Sequence, residues 1–189
     1  MNNKKTDLTR EKIMEVAREL LVENGYANVS MRQIANEINC SHGAIYYYFK
    51  NKAELFYALV EDHFLQLEQK MDDVIEQEIA RTKKLKKLLL GFIQFGLDHQ
   101  SHYEIMFLIK DQEVLHYLNK SPSETYQKFA RHVAELSKKR LTVQEIWSIF
   151  LSLHGFVTHY LRHIVRFNEV EEMAKFHVDM LVTRTKDTE

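Results

Sequence analysis

The sequence predicts an all-α protein in which a small N-terminal three-helix unit precedes a larger helical bundle. Turn-forming residues are scarce, because the 189 residues include only five glycines and one proline, against averages of about 7% and 5%. Sheets need tight turns, and tight turns need those residues. Apolar residues recur every three or four positions along almost the whole chain, which is the spacing of amphipathic helices.

The first two helices are predicted from their apolar stripes and their capping residues. Asn24 and Gly25 supply a left-handed cap that ends the first helix. Ser30 and Gln33 have the spacing of a capping box and start the second helix. The two stripes consist of Ile13, Val16, Ala17, Leu20 and Leu21, and of Met31, Ile34, Ala35 and Ile38.

A short third helix and a long fourth one follow. Asn39 suits a left-handed turn, and Ser41 can cap the third helix, which turns Ile45 and Phe49 inward. Asn51 starts the fourth helix. Its apolar stripe consists of Leu55, Leu59, Phe64, Leu67, Met71 and Val74.

The remaining helices form the bundle. A wide apolar face predicts a helix over 85–99, and a short helix is expected over 101–109. Ser121 followed by Pro122 is a strong start signal, with an N-cap and a proline at the first helical position. Two further helices are predicted to begin at Thr142 and at Asn168.

The helix after Thr142 is apolar around nearly its whole circumference up to Val165. Such a helix must be buried on more than one side, and in a small protein a second subunit is the favoured cover. We therefore predict a homodimer, the alternative being a central helix of a monomeric bundle. The predicted interface residues are Phe156, Tyr160, His163, Met173, Phe176 and Met180.

Composition limits the compartment and the partners. The formal net charge is −1, so nucleic acid could be held only by a local group of well-placed residues. No segment is apolar enough to span a membrane, and the polar first residues predict no signal peptide. A single cysteine, Cys40, excludes an internal disulfide framework. We expect a cytoplasmic protein with no membrane partner.

The segment from Ser30 to Lys52 has the plan of a helix-turn-helix, whose second helix enters the major groove of DNA. The outward side of that helix carries small and aromatic residues where a solvated surface would carry charges. Small side chains permit close approach to base edges, and tyrosines offer hydroxyls to phosphates. The alternative is an aromatic patch that packs on the bundle, which explains Tyr48 better than Tyr46 and Tyr47.

This pattern resembles the tetracycline-repressor (TetR) family of bacterial regulators from Thr9 to about Leu59. The resemblance rests on a set of matching positions in the first two helices and on the run from Ser41 to Lys52, SHGAIYYYFKNK. The matching positions are Ile13, Ala17, Leu20, Leu21, Gly25-Tyr26, Val29-Ser30 and Ile34-Ala35. Asn39-Cys40 stands where the family usually has Gly-Val. The resemblance implies a DNA-binding domain over 1–52 and an effector-binding and dimerisation domain over 53–189. It also implies a sequence-specific transcriptional regulator, a repressor, that binds a double-stranded palindromic operator.

Site residues follow from the same resemblance, position by position. Ser30 and Met31 would face phosphates, and Arg32 would reach a base. Groove and backbone contacts would come from His42, Gly43, Ala44, Tyr46 and Tyr47, and further phosphate contacts from Tyr48 and Lys52.

The predicted effector pocket is apolar and aromatic, which favours a small lipophilic or aromatic molecule. Its expected residues are Phe92, Phe95, His99, Tyr103, Met106, Phe107, Tyr126, Phe129, Phe150 and His154. A filled core with an exposed apolar patch would instead favour a DNA-bound protein whose bundle binds a protein partner.

Other chemistries have little support. His159 and His163 are four apart and could chelate a metal, but no third ligand is suitably spaced, so we predict no metal and no cofactor. Cys40 is interpreted as an inert thiol rather than as a redox sensor. The sequence has no phosphate-binding glycine loop and no nucleophile elbow, so an enzyme is not predicted.

Overall fold

The computed structural model describes residues 8–108, 121–183 and 185. Within those ranges the chain forms nine α-helices, two 3-10 turns and no strand, which confirms the predicted all-α fold. The helices are α1 (Arg10–Asn24), α2 (Met31–Ile38), α3 (His42–Tyr46), α4 (Lys52–Glu76), α5 (Arg81–Asp98), α6 (Gln100–Phe107), α7 (Ser121–Leu136), α8 (Val143–Tyr160) and α9 (Glu171–Thr183).

Helices α1 to α3 form the N-terminal unit, and a side chain caps the N-terminus of each helix. The Ser30 side chain accepts a hydrogen bond from the Gln33 backbone N–H, and the Gln33 side chain accepts one from the Ser30 backbone, which completes the capping box. Asn39 ends α2 in the left-handed region, at φ 58° and ψ 42°. The predicted caps and turn residue are therefore in place. The unit's core is built from Ile13, Ala17, Leu21, Ile34, Ile45 and Phe49, all buried.

Helix α4 joins this unit to the bundle. It is 25 residues long, and the Asn51 side chain caps its first turn by accepting from the Glu54 backbone N–H. It packs against α1 on one side and against α5, α6 and α7 on the other. A single rigid helix is therefore shared by both parts of the molecule.

Helix α5 lies at the centre of the bundle and contacts every other bundle helix. Phe92 lies among aromatic rings of α6, α7 and α8, with centroid distances of 5.6 to 6.4 Å. At Gly96 an added Cβ would lie 2.7 Å from a Val157 methyl carbon. That position therefore needs glycine for the close approach of α5 to α8.

Several predicted boundaries in the bundle differ from the observed ones. Helix α5 begins at Arg81 rather than at residue 85, and α8 ends at Tyr160 rather than at Val165. The last helix was expected to begin at Asn168, but residues Phe167–Glu169 form a 3-10 turn and α9 begins at Glu171. The Glu169 carboxylate accepts from the backbone N–H groups of Val165 and Arg166, which stabilises the tighter turn. The short helix over 101–109 is α6, which ends at Phe107, and residue 109 lies outside the described residues.

No helix in the described ranges combines the length and the apolarity that a bilayer crossing requires.

Two histidines are buried where α4 meets the start of α6. The ring centroids of His63 and His102 are 3.7 Å apart, and the ring of His99 lies 5.4 Å from that of His63. Burial lowers the pKa of His63 to about 4 and that of His102 to about 3, and positive charge from His99 and Arg18 adds to the effect. Both rings are therefore neutral at neutral pH.

Acidification is expected to destabilise the fold through this pair. Histidine in the unfolded chain has a pKa of about 6.5, so below that pH the unfolded state binds protons that the native state rejects. The free energy of unfolding should then fall by up to about 1.4 kcal/mol per pH unit for each group, as the pH drops from about 6.5 towards the native pKa values. Urea unfolding at pH 7.5, 6.0 and 5.0 measures this slope.

The double variant His63→Gln/His102→Gln should show a shallower loss of stability between these pH values. His159→Gln is the matched control, because His159 is exposed on α8. An unchanged slope in the double variant would show that other groups control the acid sensitivity.

Candidate nucleic-acid interface and apolar cavity

The outward side of α3 is an exposed surface of small and aromatic residues. The Tyr46 side chain is 44% exposed and that of Tyr47 is 87% exposed, although both are large aromatic groups. His42 is exposed at the tip, and its ring packs edge-on against Tyr46 at 4.9 Å. Ile45 and Phe49 are buried on the opposite side. The surface is therefore presented to solvent by the unit's own core packing.

Gly43 leaves this surface open. A Cβ added at Gly43 would meet no heavy atom of the described structure within 4 Å. The protein itself therefore does not require glycine here, and the backbone of α3 can be approached closely from outside. Ala44 beside it is half-buried, and its N–H donates to the Ser41 side chain.

Ser30 and Arg32 lie at the start of α2, and both are exposed. The first-turn N–H groups of a helix attract anions such as phosphate. Met31 next to them is buried in the core, so of this residue only the backbone N–H can face a partner.

Tyr48 and Lys52 are engaged inside the N-terminal unit. The Tyr48 hydroxyl donates to the backbone carbonyl of Leu8, just before α1. The Lys52 ammonium donates to the carbonyl of Tyr26 and lies 4.1 Å from the centroid of that ring. In this structure both groups position the start of α1 and the loop after it, and a phosphate contact would have to compete with those bonds.

An apolar cavity of about 320 Å³ lies in the bundle between α4, α5, α6, α7 and α8. Five predicted pocket residues are in its wall, namely Phe92, Phe107, Tyr126, Phe129 and Phe150. The wall also contains Phe64, Leu67, Met71, Thr125 and Trp147, which were not predicted as pocket residues. Three of these belong to the apolar stripe of α4, which predicts their burial but does not distinguish a cavity wall from a filled core.

The other five predicted pocket residues lie outside this wall. The buried Tyr103 hydroxyl is 2.7 Å from His154 Nδ1, so the two form a hydrogen-bonded pair behind the aromatic wall. Burial raises the pKa of Tyr103 and lowers that of His154, which keeps both neutral. Met106 is buried, and Phe95 packs on His99 with ring centroids 4.9 Å apart.

Polar contacts fasten α7 to α4 beside the cavity. The Thr125 hydroxyl donates to Glu68 at 2.6 Å, and the Lys128 ammonium donates to Asp72 at 2.6 Å. Glu68 and Asp72 lie on the same helix as the cavity residues Leu67 and Met71. Helix α7 is therefore connected to α4 by paired charges as well as by packing.

Helices α8 and α9 together expose an apolar face. Only one side of α8 is buried in the chain, and Leu151 on another side is exposed. On α9, Met173, Phe176 and Met180 are all exposed, at the i, i+3 and i+7 positions of one stripe. Phe156 and Tyr160 are half-buried against each other, with ring centroids 4.9 Å apart, and His163 is exposed.

Cys40 is half-buried in the turn between α2 and α3, and burial raises the pKa of its thiol. A reactive sensor cysteine needs the opposite shift. In the described part of the chain, no three His, Cys, Asp or Glu side chains are grouped so that they could hold a metal ion.

Residues 13–59 match the model of the bacterial regulatory proteins of the tetR family. An HTH-type transcriptional regulator of Staphylococcus aureus (strain USA300) is 29% identical over 133 residues, which cover 64% of this chain and 72% of that one.

Two solved structures have the same fold. FadR of Bacillus halodurans, a fatty acid degradation regulator, has a TM-score of 0.77 at 18% identity, with 95% of this chain and 97% of that one covered. FadR of Bacillus subtilis, solved in complex with stearoyl-CoA, has a TM-score of 0.72 at 19% identity, with 93% and 98% covered.

These relatives are transcriptional regulators and not enzymes. The matched residues span α1, α2, α3 and the start of α4, which are the elements that build the exposed surface of α3. The chain is therefore a DNA-binding transcriptional regulator whose residues 13–59 match the tetR family of bacterial regulatory proteins.

Proposed function

We propose that the chain is a cytoplasmic homodimeric repressor that a small lipophilic molecule releases from a palindromic operator. Residues 1–52 form the DNA-binding domain, and residues 53–189 form the effector-binding and dimerisation domain. The single observation that carries the proposal is the apolar cavity of about 320 Å³ whose wall includes residues of α4, because α4 begins at the DNA-binding unit.

The DNA contacts in this proposal come from the surface of α3 and the start of α2. Tyr46, Tyr47, His42 and Gly43 approach the groove and backbone, with Arg32 reaching a base and Ser30 a phosphate. Tyr48 and Lys52 bind phosphate if their bonds to backbone carbonyls are exchanged, and Met31 contributes its N–H.

The chemistry of the cavity supports a lipophilic effector. Nine of its ten wall residues are phenylalanine, leucine, methionine, tryptophan or tyrosine, and the tenth, Thr125, already donates its hydroxyl to Glu68. A pocket of this kind disfavours a charged group inside it, since few polar groups are available to pair with the charge. The complex of a structural neighbour with stearoyl-CoA makes an acyl chain the first candidate. An open cavity also favours an effector over a protein partner bound to the bundle.

DNase footprinting on DNA flanking its own gene tests the proposal, in the presence of acyl-CoA thioesters of increasing chain length. We expect protection of a two-fold symmetric site, with half-sites about 34–36 Å apart or a multiple of that distance. At least one chain length should abolish the protection. Protection that no acyl compound or other apolar compound alters would contradict the effector assignment and leave DNA binding intact.

The variant Gly43→Ala separates folding from DNA contact. Alanine is favoured over glycine inside a helix by roughly 0.5–1 kcal/mol, and the added Cβ meets open space. Thermal stability should therefore stay the same or rise. Operator affinity should fall, because the Cβ would occupy the space through which a base edge approaches α3.

Fluorescence anisotropy with labelled operator measures this loss, which we expect to be about tenfold, or roughly 1.4 kcal/mol. Gly91→Ala is the matched control, since Gly91 lies in α5 and its added Cβ also meets no atom within 4 Å. Full operator affinity in Gly43→Ala would show that α3 does not dock closely.

A further inference from the structure

A second, polar cleft of about 900 Å³ opens between the N-terminal unit and the bundle. Arg18 of α1 and the turn over 25–28 form one wall. Asp62 and His63 of α4 and the residues from Leu97 to His102 form the other. The cleft shares no lining residue with the apolar cavity. It is therefore a separate site, placed where the DNA-binding unit meets the bundle.

Buried polar atoms without partners line this cleft. His63 and His102 are each only 3% exposed. Both ring nitrogens of His63, Nε2 of His102 and Nε of Arg18 have no hydrogen-bond partner within the described structure. An unsatisfied buried group destabilises the fold, and in native structures such groups are usually paired with protein, an ordered water or an ion. Three side chains from three helices therefore bring buried nitrogen atoms without hydrogen-bond partners to one place.

Neighbouring ionisable groups act on the protonation of this pair in addition to its burial. At His102 each of the three neighbouring groups that shift its pKa, His63, His99 and Arg18, shifts it downwards, as positive charge does. At His99, burial lowers the pKa most, Lys70 lowers it further, and Asp98 raises it. At His63, Asp62 raises the pKa, whereas His99 and Arg18 lower it.

The carboxylates of the cleft are already paired. Asp62 lies 3.6 Å from an Arg18 terminal nitrogen. Glu104 accepts two hydrogen bonds from Arg162, at 2.6 and 2.8 Å. Asp98 accepts from the Phe167 N–H at 3.2 Å. Among the described residues of the cleft, the buried side-chain atoms without a hydrogen-bond partner belong to the two imidazoles and to one guanidinium N–H.

The first turn of α6 faces the same cleft. Gln100, Ser101 and His102 all line it, and the N–H groups of a first turn have no partner inside their own helix. The preceding residue, His99, supplies no side-chain cap. The N-terminus of a helix carries a partial positive charge that stabilises anions.

We propose that this cleft binds the oxyanion of a small metabolite, a carboxylate or a phosphate, as a second ligand of the protein. The anion accepts hydrogen bonds from Arg18 Nε, from ring N–H groups of His63 and His102, and from the first turn of α6. The negative charge stabilises the imidazolium form of an adjacent histidine, so binding takes up a proton from solvent. Affinity then rises as the pH falls, by up to about tenfold per pH unit for one proton.

Histidine side-chain ¹H–¹⁵N spectra of the full chain, without DNA, test binding directly. Inorganic phosphate and succinate are the probes, and succinamide is the uncharged control at equal ionic strength. We expect saturable shifts of the His63 and His102 signals with phosphate or succinate, larger at pH 6 than at pH 8, and none with succinamide. Response to phosphate alone or to succinate alone identifies the oxyanion. Response to neither, or to zinc chloride only, overturns the proposal.

Two variants locate the site. Arg18→Gln and His102→Asn should each weaken binding of the responding anion at least fivefold at pH 6, whereas His159→Gln should leave it unchanged. Thermal unfolding confirms that each variant is folded. Unchanged affinity in both folded cleft variants would overturn the assignment, while the wild-type titration remains informative if either variant fails to fold.

The consequence for regulation rests on the proposed function. An anion in this cleft contacts both α1 and α4 and would therefore change the angle between the DNA-binding unit and the bundle. Operator affinity measured by anisotropy should change at least threefold on saturation with the responding anion. If the anion binds but operator affinity is unchanged, the regulatory step is wrong, although the anion site itself is supported. Absence of any operator binding would instead reject the proposed function.

Discussion

Replacing Phe176 by glutamate is expected to convert the dimer into a monomer and to reduce operator affinity by about 10²–10⁴-fold. Phe176 is 62% exposed in the single chain, between Met173 and Met180 on the outer stripe of α9. A glutamate there is harmless to an isolated chain. In a dimer the charge would be buried against apolar groups of the second subunit, which costs several kcal/mol.

The loss of DNA affinity follows from geometry. Two recognition helices on one two-fold dimer bind two half-sites together, and linked binding exceeds single-site binding by about 10²–10⁴-fold. A monomer keeps an intact α3 surface and loses only the increase in affinity that comes from binding two half-sites together. Sedimentation velocity measures the assembly, and fluorescence anisotropy measures the affinity.

Leu65→Glu is the matched control, because Leu65 is similarly exposed but lies on α4, outside the α8–α9 face. We expect this variant to remain a dimer with wild-type affinity. A dimeric Phe176→Glu protein, or equal losses in both variants, would contradict the assignment of the interface to α8 and α9.

Local features of the fold could be predicted from the sequence because they depend on neighbours along the chain. The capping box at Ser30 and Gln33 and the left-handed turn at Asn39 need only adjacent residues, and all are present. The outward position of Tyr46 and Tyr47 follows from helical spacing relative to Ile45 and Phe49. The start of α9 was wrong by three residues, since the Glu169 side chain stabilises a 3-10 turn instead.

Features that depend on helix packing could not be predicted in the same way. The cavity uses Phe64, Leu67 and Met71, whose spacing in the sequence is equally typical of a filled core. The partner of the Tyr48 hydroxyl is Leu8, 40 residues earlier in the chain. His63 meets His102 only because α4 and α6 pack together, and no local spacing connects those two positions.

Effector binding and operator binding are expected to oppose each other by the same factor, about 5–150-fold. A ligand shifts the population of two states only through a difference in its affinity for them. In the proposed mechanism helix α4 is the mechanical link, since Leu67 and Met71 line the cavity while Asn51 and Lys52 begin the helix at the DNA-binding unit. Filling the cavity should displace α4 and change the distance between the two recognition helices.

Calorimetry measures both affinities, using the acyl compound that relieves footprint protection. Operator affinity with saturating ligand and ligand affinity with saturating operator should fall by equal factors, which correspond to a coupling free energy of about 1–3 kcal/mol. Leu67→Trp should occupy the cavity, prevent ligand binding and remove the ligand's effect on DNA. Leu88→Met is the control, because Leu88 is buried outside the cavity wall.

A further variant tests the route of the coupling. Lys128→Gln removes the charge that holds α7 to Asp72 and Glu68 of α4, while the cavity wall stays intact. We expect this variant to bind the ligand and the operator separately, each within about threefold of the wild type, but with a smaller reciprocal effect. The coupling free energy does not depend on which molecule binds first. The ligand's effect on operator affinity must therefore equal the operator's effect on ligand affinity. A ligand that fills the cavity and binds equally well to the free and the operator-bound protein would show that α4 does not transmit its presence.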